Sequence, residues 1–387
     1  MRRTPSVVLV VSIAVAVAVG GVACSGGGSE HATTASTSSA ATVPGAAWQT
    51  IAPASAGLDG AKLDAIAQVA QRGSSNCLVV TREGRIAGEW YFRGTNASSA
   101  QDVYSMTKSI TSTLVGIAQD DGRLRIDDPA SRWIIEWQGT PSAGVTIRDL
   151  LSNDSGRQWS PAIDYRDLLR APDRTAFAIG LGQAEPPGRV WAYNNSAIQT
   201  LQRVLQRATG EDVVQYAKQR LFDPIGMSQT TMTRDRAGNA QMFEGVRSTC
   251  RDMARFGTLM LNDGRWGDRQ VVSAAWVRAA TGAPSQPLNA GYGFLWWLNH
   301  EGAITNPLVA TSLDQAQQPS EHGQIAPGAP ASMYWALGLG NQLVQVDPGS
   351  RTVVVRLGTG TPRPKPPTFG PAEASTVVTE AVREAHR

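Results

Sequence analysis

The spacing of apolar residues predicts two helices and two strands in the first third of the chain. Residues 58–73 carry apolar side chains every three or four positions and end in Gly73, a pattern typical of a helix. Residues 76–92 favour two strands joined by a turn at 83–85. Helical spacing returns over 105–122. The two strands are therefore predicted to lie between two helices in the sequence.

The rest of the chain is helical in its middle and returns to strands near its end. Roughly 120–280 shows helical patches between loops rich in Pro, Gly and Asp. Strands are predicted at 333–347 and 351–358, and a terminal helix over 372–386. The pattern predicts an α+β fold: one antiparallel sheet built from both chain ends and flanked by helices, with an inserted, mostly helical lobe.

Composition excludes several classes of function. The 387 residues are 42% hydrophobic and 17% charged, which is enough apolar sequence for a large core. The formal net charge of +3 is small and no run of Lys and Arg occurs, so no nucleic-acid partner is predicted. Because no nucleotide-binding or metal-binding motif occurs either, the sequence predicts neither a cofactor nor a metal.

The first residues have the pattern of an export signal. Arg2 and Arg3 precede an apolar run over 7–19, and small residues follow up to Cys24. Cys24 stands where a bacterial lipoprotein signal carries its lipid-modified cysteine, so lipidation of Cys24 is predicted. An ordinary secretory signal and an uncleaved membrane anchor are the alternatives.

This interpretation divides the chain into an export signal over 1–24, a flexible tether rich in Gly, Ser, Thr and Ala over 25–50, and a folded domain over 51–387. It places the domain at the outer face of the bacterial cell membrane on a lipid anchor, or otherwise in secreted form. An oxidising compartment permits a disulfide between Cys77 and Cys250. Two buried free thiols are the alternative, because the sequence does not give the distance between them.

Lys108 is notable because the chain otherwise prefers arginine, with four lysines against 31 arginines. It follows Ser105 by three residues, so the two side chains share one face of the predicted helix. A buried lysine can lose its proton and accept one from a serine, which an arginine cannot do. The helix start also offers unpaired N–H groups to a developing oxyanion. The pattern predicts a serine nucleophile with a lysine base; a solvent-facing Lys108 is the alternative.

Other hydrolytic machinery is weak or absent in the sequence. The G-x-S-x-G motif of α/β-hydrolases and the H-E-x-x-H motif of zinc hydrolases do not occur. Of the four histidines, two lie near the chain ends, and His300 and His322 flank a loop-like region. A histidine-based triad is therefore less favoured than the serine–lysine pair.

Residues that would complete such a site occur farther along the chain. Tyr193 and Asn195 stand two positions apart after a Pro-Gly turn. A tyrosine beside a lysine ammonium ionises more easily, so Tyr193 is predicted to relay the serine proton; a half-buried loop tyrosine is the alternative. Asn195 is predicted to hold Lys108 and a substrate carbonyl or amide. In a predicted strand over 334–343, a glycine would let a backbone N–H approach the oxyanion.

Together these motifs resemble the serine β-lactamase and penicillin-binding-protein superfamily, in its esterase and amidase-like branch related to class C β-lactamases. The resemblance covers about 58–358, and the chain looks most like nylon-oligomer hydrolases and carboxylesterases. It is carried by the stretches "SMTKS" (105–109), "IRDLLSNDSG" (147–156), "PGRVWAYNN" (187–195), "DPIGMSQT" (223–230) and "RDMARFGTLMLNDGRW" (251–266).

The resemblance implies a two-lobed fold with the nucleophile at the junction of the lobes. The roles it implies are Ser105 as the acylated nucleophile, Lys108 as the base, Tyr193 as the proton shuttle, Asn195 as a substrate contact, and the N–H groups of Ser105 and Leu339, just after Gly338, as the oxyanion hole. Where penicillin-recognising members have Lys-Thr-Gly or His-x-Gly, this chain has Ala-Leu-Gly at 336–338. The cation that would hold a substrate carboxylate is therefore missing.

The predicted function is an exported serine hydrolase that cleaves a small-molecule ester or amide through an acyl-enzyme, without a cofactor. Within the same superfamily, a D,D-peptidase or a β-lactamase is the alternative, and the missing cation argues against both. A non-catalytic envelope lipoprotein that kept the fold is the alternative outside enzymes. The presence of the serine, the lysine and the tyrosine together argues against it. No oligomeric state is predicted.

Overall fold

The computed structural model describes residues 42–312, 321–360 and 368–383. The strands, numbered along the chain, are β1 (Ser75–Arg82), β2 (Arg85–Tyr91), β3 (Gln101–Asp102), β4 (Val190–Trp191), β5 (Thr231–Met232), β6 (Val246–Ser248), β7 (Arg265–Trp266), β8 (Arg269–Gln270), β9 (Trp297–Leu298), β10 (Gly302–Ile304), β11 (Thr311–Ser312), β12 (Glu321–Gly323), β13 (Tyr334–Gly338), β14 (Gln342–Asp347) and β15 (Thr352–Gly358). Six of them form one antiparallel sheet in the order β2-β1-β15-β14-β13-β9. The two ends of the chain therefore meet inside one sheet, where β1 pairs with β15.

The helices surround this sheet and fill the middle of the sequence. The α-helices are α1 (Gly60–Arg72), α2 (Met106–Asp120), α3 (Ile147–Ser152), α4 (Leu168–Arg170), α5 (Arg174–Gly180), α6 (Asn195–Gln199), α7 (Leu201–Thr209), α8 (Val213–Ala217), α9 (Cys250–Leu261), α10 (Ala274–Thr281) and α11 (Pro371–Thr376). Short 3₁₀ and π-helical turns occur at Pro53–Ala56, Ala130–Arg132, Ile135–Trp137, Pro141–Gly144, Ile163–Asp167, Lys218–Phe222, Asp223–Ile225 and Val377–Ala381.

The two faces of the sheet bury different layers, because side chains alternate along a strand. In β1, Leu78 and Val80 belong to the core that includes α1 and α11, whereas Val79 belongs to the larger core shared with α2 and α9. Helix α9 lies close to the sheet at Gly257, where a Cβ atom would come within 2.5 Å of a Val353 methyl group. The sheet therefore separates a small helical layer from the large helical lobe.

The predicted α+β fold is confirmed, with α1, the β1–β2 hairpin and α2 at the predicted positions. The strand expected over 334–343 is instead two strands, since the chain turns back after β13. Gly340 and Asn341 adopt positive φ values of 76° and 61° in this turn, and β14 then pairs with β13. A turn that glycine and asparagine tolerate has thus replaced the extended conformation expected from the apolar pattern.

The export signal over 1–24, with Cys24, lies outside the described residues, as does most of the tether. Residues 44–46 belong to the predicted tether, yet they already contact the domain: Arg255 donates hydrogen bonds to the carbonyl oxygens of Gly45 (2.7 Å) and Ala46 (3.1 Å). The packed structure therefore begins before residue 51. Within the described ranges, no helix has the length and apolarity needed to span a membrane.

Candidate active site

Ser105 lies in a tight turn immediately before α2. The preceding residue, Tyr104, has a φ of 50°, an uncommon backbone conformation for a bulky residue. The Val103 carbonyl accepts the Met106 N–H at 3.2 Å, which closes the turn. The Ser105 side chain makes no capping hydrogen bond to the helix, although serine often does so at this position. Its hydroxyl is therefore available to other partners.

The Lys108 side chain is 1% exposed and meets this hydroxyl. Its Nζ lies 2.8 Å from Ser105 Oγ and 3.1 Å from the Phe243 carbonyl oxygen. Burial lowers the pKa of Lys108 to about 7, and the negative charges of Glu244 and Asp164 oppose this effect. The contact that the three-residue spacing predicts is present, and the amine is able to exist in its neutral form near pH 7.

A segment just before β6 also holds the lysine. It is the stretch 242–246, which runs beside α2. Thr111 donates a hydrogen bond to the Met242 carbonyl at 2.7 Å, and Thr107 accepts one from the Val246 N–H at 3.0 Å. Three side chains on one face of α2, those of Thr107, Lys108 and Thr111, are therefore fixed to this segment. The Lys108 head group is held in place by backbone rather than by a carboxylate.

Tyr193 forms the opposite wall of the site. Its ring centroid lies 4.5 Å from Lys108 Nζ, and the residue is 6% exposed. Burial raises the pKa of Tyr193 well above its usual value of 10, and hydrogen bonding to Ser105 only partly opposes this. The phenol is therefore neutral at physiological pH, contrary to the easier ionisation expected from the sequence, because desolvation disfavours the phenolate more than its hydrogen bonds favour it.

An aromatic cluster surrounds the Tyr193 ring. The centroid of the Tyr193 ring lies 5.6 Å from that of Trp297 and 6.1 Å from that of Tyr292. Trp191 packs edge-on against both Trp297 and Tyr292. The Trp159 indole N–H donates to the Tyr193 carbonyl at 3.2 Å. The aromatic contacts hold the Tyr193 ring, and the hydrogen bond from Trp159 holds the Tyr193 backbone. Trp159 and Trp297 therefore position Tyr193 directly.

Asn195 begins α6 beside the site, but it does not hold Lys108, contrary to the prediction from the sequence. The hydrogen bonds that Lys108 makes within the described residues go to Ser105 and to the Phe243 carbonyl. The Asn195 side-chain oxygen is buried and has no hydrogen-bond partner in the same part of the chain. Its amide therefore has unused hydrogen-bonding capacity next to Tyr193.

Asp164 is a site residue that the sequence motifs did not indicate. It is fully buried and accepts hydrogen bonds from the backbone N–H groups of Asn195 (2.5 Å) and Ser196 (3.2 Å) and from the Ser196 hydroxyl (2.6 Å). Burial raises the pKa of Asp164, and these hydrogen bonds oppose the rise. The carboxylate caps the helix that carries Asn195 and acts electrostatically on Lys108.

Gly338 and Leu339 lie where β13 ends against the nucleophile turn. A Cβ atom at Gly338 would lie 2.3 Å from the Val103 carbonyl oxygen, so only glycine lets the strand approach this closely. No acceptor is assigned to the backbone N–H of Ser105 or of Leu339 among the hydrogen bonds of the described backbone. Both groups are therefore free to serve as the predicted oxyanion hole, a role that stays a prediction.

Cys77 and Cys250 form a disulfide that joins β1 to the first residue of α9. The sequence had left open whether they pair or remain free thiols. Both residues are almost completely buried, at 3% and 2% exposure. The bond links the sheet to α9, the helix that packs on β14 and β15.

Comparison with known proteins places the chain in a family. Residues 63–375 match the family described as beta-lactamase. The chain belongs to the beta-lactamase family. Members of this family are serine hydrolases, so the superfamily resemblance inferred from the motifs is confirmed.

Individual relatives of the beta-lactamase family differ in how much of the chain they match. The 6-aminohexanoate-dimer hydrolase of Paenarthrobacter ureafaciens is 24% identical over 319 residues, covering 76% of this chain and 77% of that protein. The D-alanyl-D-alanine-carboxypeptidase/endopeptidase AmpH of Escherichia coli (strain K12) is 28% identical over 142 residues, covering 34% and 36%. A solved Bacillus anthracis structure described as a 6-aminohexanoate-dimer hydrolase superposes with a TM-score of 0.64 at 21% identity, over 81% of this chain and 79% of that one.

Proposed function

We propose that this member of the beta-lactamase family cleaves esters or small amides through an acyl-enzyme on Ser105. The observation that carries the proposal is the 2.8 Å contact between Ser105 Oγ and the buried Lys108 Nζ. Because burial brings the pKa of Lys108 to about 7, a neutral amine is available to accept the serine proton.

In the acylation step, Lys108 takes the hydroxyl proton as Ser105 Oγ bonds to the substrate carbonyl carbon. The carbonyl oxygen becomes an oxyanion, for which the N–H groups of Ser105 and Leu339 are the proposed donors. When this intermediate collapses, the leaving alcohol or amine takes a proton from the Tyr193 hydroxyl. Tyr193 regains a proton from the Lys108 ammonium beside its ring, which leaves the lysine neutral.

In the deacylation step, the same groups act on water. A water molecule gives a proton to the neutral lysine, directly or through Tyr193, and its oxygen bonds to the acyl carbon. The bond to Ser105 Oγ then breaks, and the serine oxygen recovers its proton from the Lys108 ammonium. The acid product leaves, and the site returns to its starting protonation state. The neutral Tyr193 phenol is suited to such a relay because it can donate and accept a proton in one step.

Two observations favour a small ester or amide as the substrate. The relative that matches three-quarters of this chain is named for a dimer of 6-aminohexanoate, whose two units are joined by an amide bond. In addition, β13 presents Ala336, Leu337 and Gly338 where penicillin-recognising members carry a cation. A substrate that depends on a carboxylate–cation contact at this strand is therefore not favoured.

Cleavage of cell-wall peptides is the second candidate function. It is favoured by the similarity to the D-alanyl-D-alanine-carboxypeptidase, although that similarity covers 34% of the chain. The missing cation of β13 argues against it, as it argues against a β-lactamase. Turnover of a D-Ala-D-Ala peptide faster than that of a simple amide would support this candidate.

We also propose that the protein is exported and anchored through a lipid on Cys24. The buried disulfide between Cys77 and Cys250 supports export, since structural disulfides persist in oxidising compartments. Detergent-phase partition and intact mass of the membrane-derived protein test the anchor. The wild type should carry a lipid mass that Cys24→Ala lacks. Recovery of both forms in the aqueous phase, without lipid mass, would contradict it.

The nucleophile is tested by intact-protein mass spectrometry after treatment with a fluorophosphonate. Wild type and Ser109→Ala should each gain one adduct, and Ser105→Ala should gain none. Ser109 is a matched control because it lies on the same helix but uses its hydroxyl to contact the Leu295 carbonyl at 2.8 Å. Turnover of a chromogenic ester, amide and cephalosporin by the same samples then ranks the substrate classes. Equal labelling of Ser105→Ala would show that another residue is the nucleophile.

A further inference from the structure

A second cavity, of about 350 Å³, lies outside the serine–lysine site. It is lined by four arginines, with Asp235 and Gln241 between them; the arginines are Arg170, Arg174, Arg234 and Arg236. Neither Ser105, Lys108 nor Tyr193 lines it. One carboxylate, that of Asp235, lies among the four arginines in this lining.

Two of these arginines are fixed by carboxylates at the edge of the cavity. Arg234 forms a forked ion pair with Asp212, at 2.6 and 2.8 Å. Arg174 is paired with Glu244 at 2.7 Å and also donates to the Leu169 carbonyl. Such contacts hold a guanidinium in one orientation while leaving some of its five N–H donors unused.

The carboxylate inside the cavity is already occupied by backbone and amide donors. Asp235 accepts the Arg174 backbone N–H at 2.8 Å, and it accepts the backbone and side-chain N–H groups of Asn239 at 2.9 and 3.1 Å. It therefore stabilises the loop that carries Arg234 and Arg236. Within the described residues, no guanidinium of the lining arginines donates to Asp235; Arg174 does so through its backbone N–H alone.

Arg170 and Arg236 complete the charge of the cavity. Neither forms an ion pair or a side-chain hydrogen bond within the residues that the structure describes. Asp167 is close enough to Arg170 to interact with its charge, but Arg166 holds the Asp167 carboxylate with hydrogen bonds of 2.7 and 2.9 Å. The cavity is thus lined by two exposed guanidinium groups that lack an ion pair in the described residues, and by two that carboxylates hold in place.

We propose that this cavity is a binding site for a compact anion that carries two or more negative charges on phosphate or carboxylate groups. Guanidinium groups donate paired hydrogen bonds that match the oxygen spacing of both groups. An anion with two or more charges can neutralise both Arg170 and Arg236, whereas a monoanion can neutralise only one of them.

The lining of the cavity is linked to the serine–lysine site through one short stretch of chain, 241–244. Gln241 lines the cavity, and Glu244 holds the Arg174 guanidinium that lines it. Between these two residues lies Phe243, whose carbonyl accepts the Lys108 hydrogen bond. An anion bound to Arg174 would therefore contact a guanidinium whose partner, Glu244, directly follows the residue that fixes Lys108.

Isothermal titration calorimetry of the full-length protein with pyrophosphate, and separately with citrate, tests the proposal at constant ionic strength. Wild type should bind at least one of the two, which also distinguishes phosphate from carboxylate chemistry. The double variant Arg170→Gln/Arg236→Gln should bind about tenfold or more weakly, because it removes two guanidinium groups that donate charge-assisted hydrogen bonds to the anion.

The control is Arg123→Gln/Arg125→Gln, which removes the same charge from exposed arginines that do not line the cavity. It should bind like wild type. No heat from either anion at millimolar concentration would overturn the proposal, as would equal weakening in the two double variants. Because the assay needs no turnover, its outcome is independent of whether Ser105 is a nucleophile. Equal melting temperatures of all three proteins would exclude misfolding as the cause.

Discussion

Glu244 is the residue whose negative charge most strongly favours the ammonium form of Lys108. It follows Phe243, whose carbonyl accepts the Lys108 hydrogen bond at 3.1 Å, and its own carboxylate is held by Arg174 at 2.7 Å. Burial of Lys108 acts in the opposite direction and is the larger effect. The basicity of the lysine is therefore set by a balance between desolvation and a carboxylate that does not touch it.

Glu244→Gln should lower the pKa of Lys108 below about 7, because it removes a charge that stabilises the ammonium. As a base, the lysine works when deprotonated, so the acid limb of the kcat/KM profile should move to lower pH. The chain has only four lysines, so NMR of ¹³Cε-labelled lysine can follow Lys108 directly after assignment with Lys108→Arg.

The matched control for this prediction is Asp212→Asn. It removes the carboxylate that pairs with a different arginine, Arg234. That carboxylate is not among the charges that shift the pKa of Lys108. Its lysine titration should equal that of wild type. An unchanged titration in Glu244→Gln, or a shift to higher pH, would contradict the assigned role of Glu244.

Lys108→Arg should abolish most of the activity while keeping a positive charge. Arginine stays protonated at any pH of interest and cannot accept the serine proton, so kcat/KM should fall by about 10²–10⁴-fold. Ester turnover with circular dichroism as a folding check measures this. Lys62→Arg, an exposed change on α1, is the control and should be fully active. Substantial turnover by Lys108→Arg would rule out the lysine as base.

Tyr193→Phe should separate leaving groups by their need for a proton. The ring and its packing against Trp297 are retained, and only the buried, neutral hydroxyl is lost. Amide turnover should fall by about 10²–10⁴-fold, because an amine leaves only after protonation. A nitrophenyl ester should be less affected, because nitrophenolate leaves without a proton. Equal losses for both substrates would argue that Tyr193 has another role.

The parts of this structure that the sequence predicted depend on neighbours in the chain. Helix α2 brings Ser105 and Lys108 together because residues three apart share a helix face. The β1–β2 hairpin likewise follows from local alternation and a short turn. In both cases the information lies within a few residues, so pattern alone is sufficient.

The missed features depend on contacts between distant segments. Asp164 and Glu244 act on Lys108 only because folding brings a π-helical turn and the 242–246 segment to α2. No local motif marks either carboxylate. The neutral state of Tyr193 was missed for the same reason, since its burial is created by aromatic residues from other parts of the chain, among them Tyr292 and Trp297.

The disulfide should contribute substantially to stability. Cys77 and Cys250 are separated by 173 residues, so the bond constrains a long loop of the unfolded chain. The double variant Cys77→Ala/Cys250→Ala should lose about 2–5 kcal/mol of unfolding free energy in urea titrations. A phosphine reductant should lower the free energy of unfolding of wild type by a similar amount and leave that of the variant unchanged. Equal stability of both proteins with and without reductant would show that the thiols are not paired in solution.

Gly338→Ala should impair the site through the backbone. The new Cβ would lie 2.3 Å from the Val103 carbonyl oxygen, so the strand end or the turn before Ser105 must move. We expect a loss of stability of about 1–3 kcal/mol, typical of overpacking, and a drop in kcat larger than this loss explains.

Gly349→Ala is the matched control, since a Cβ there meets its nearest atom, Asp347 Oδ1, at an ordinary 3.7 Å. It should leave both stability and kcat close to wild type. Wild-type fluorophosphonate labelling rates in Gly338→Ala would show that the nucleophile turn tolerates the displacement. A slower rate in a protein that remains folded is the expected result, because the N–H groups of Ser105 and Leu339 would no longer converge on one oxyanion.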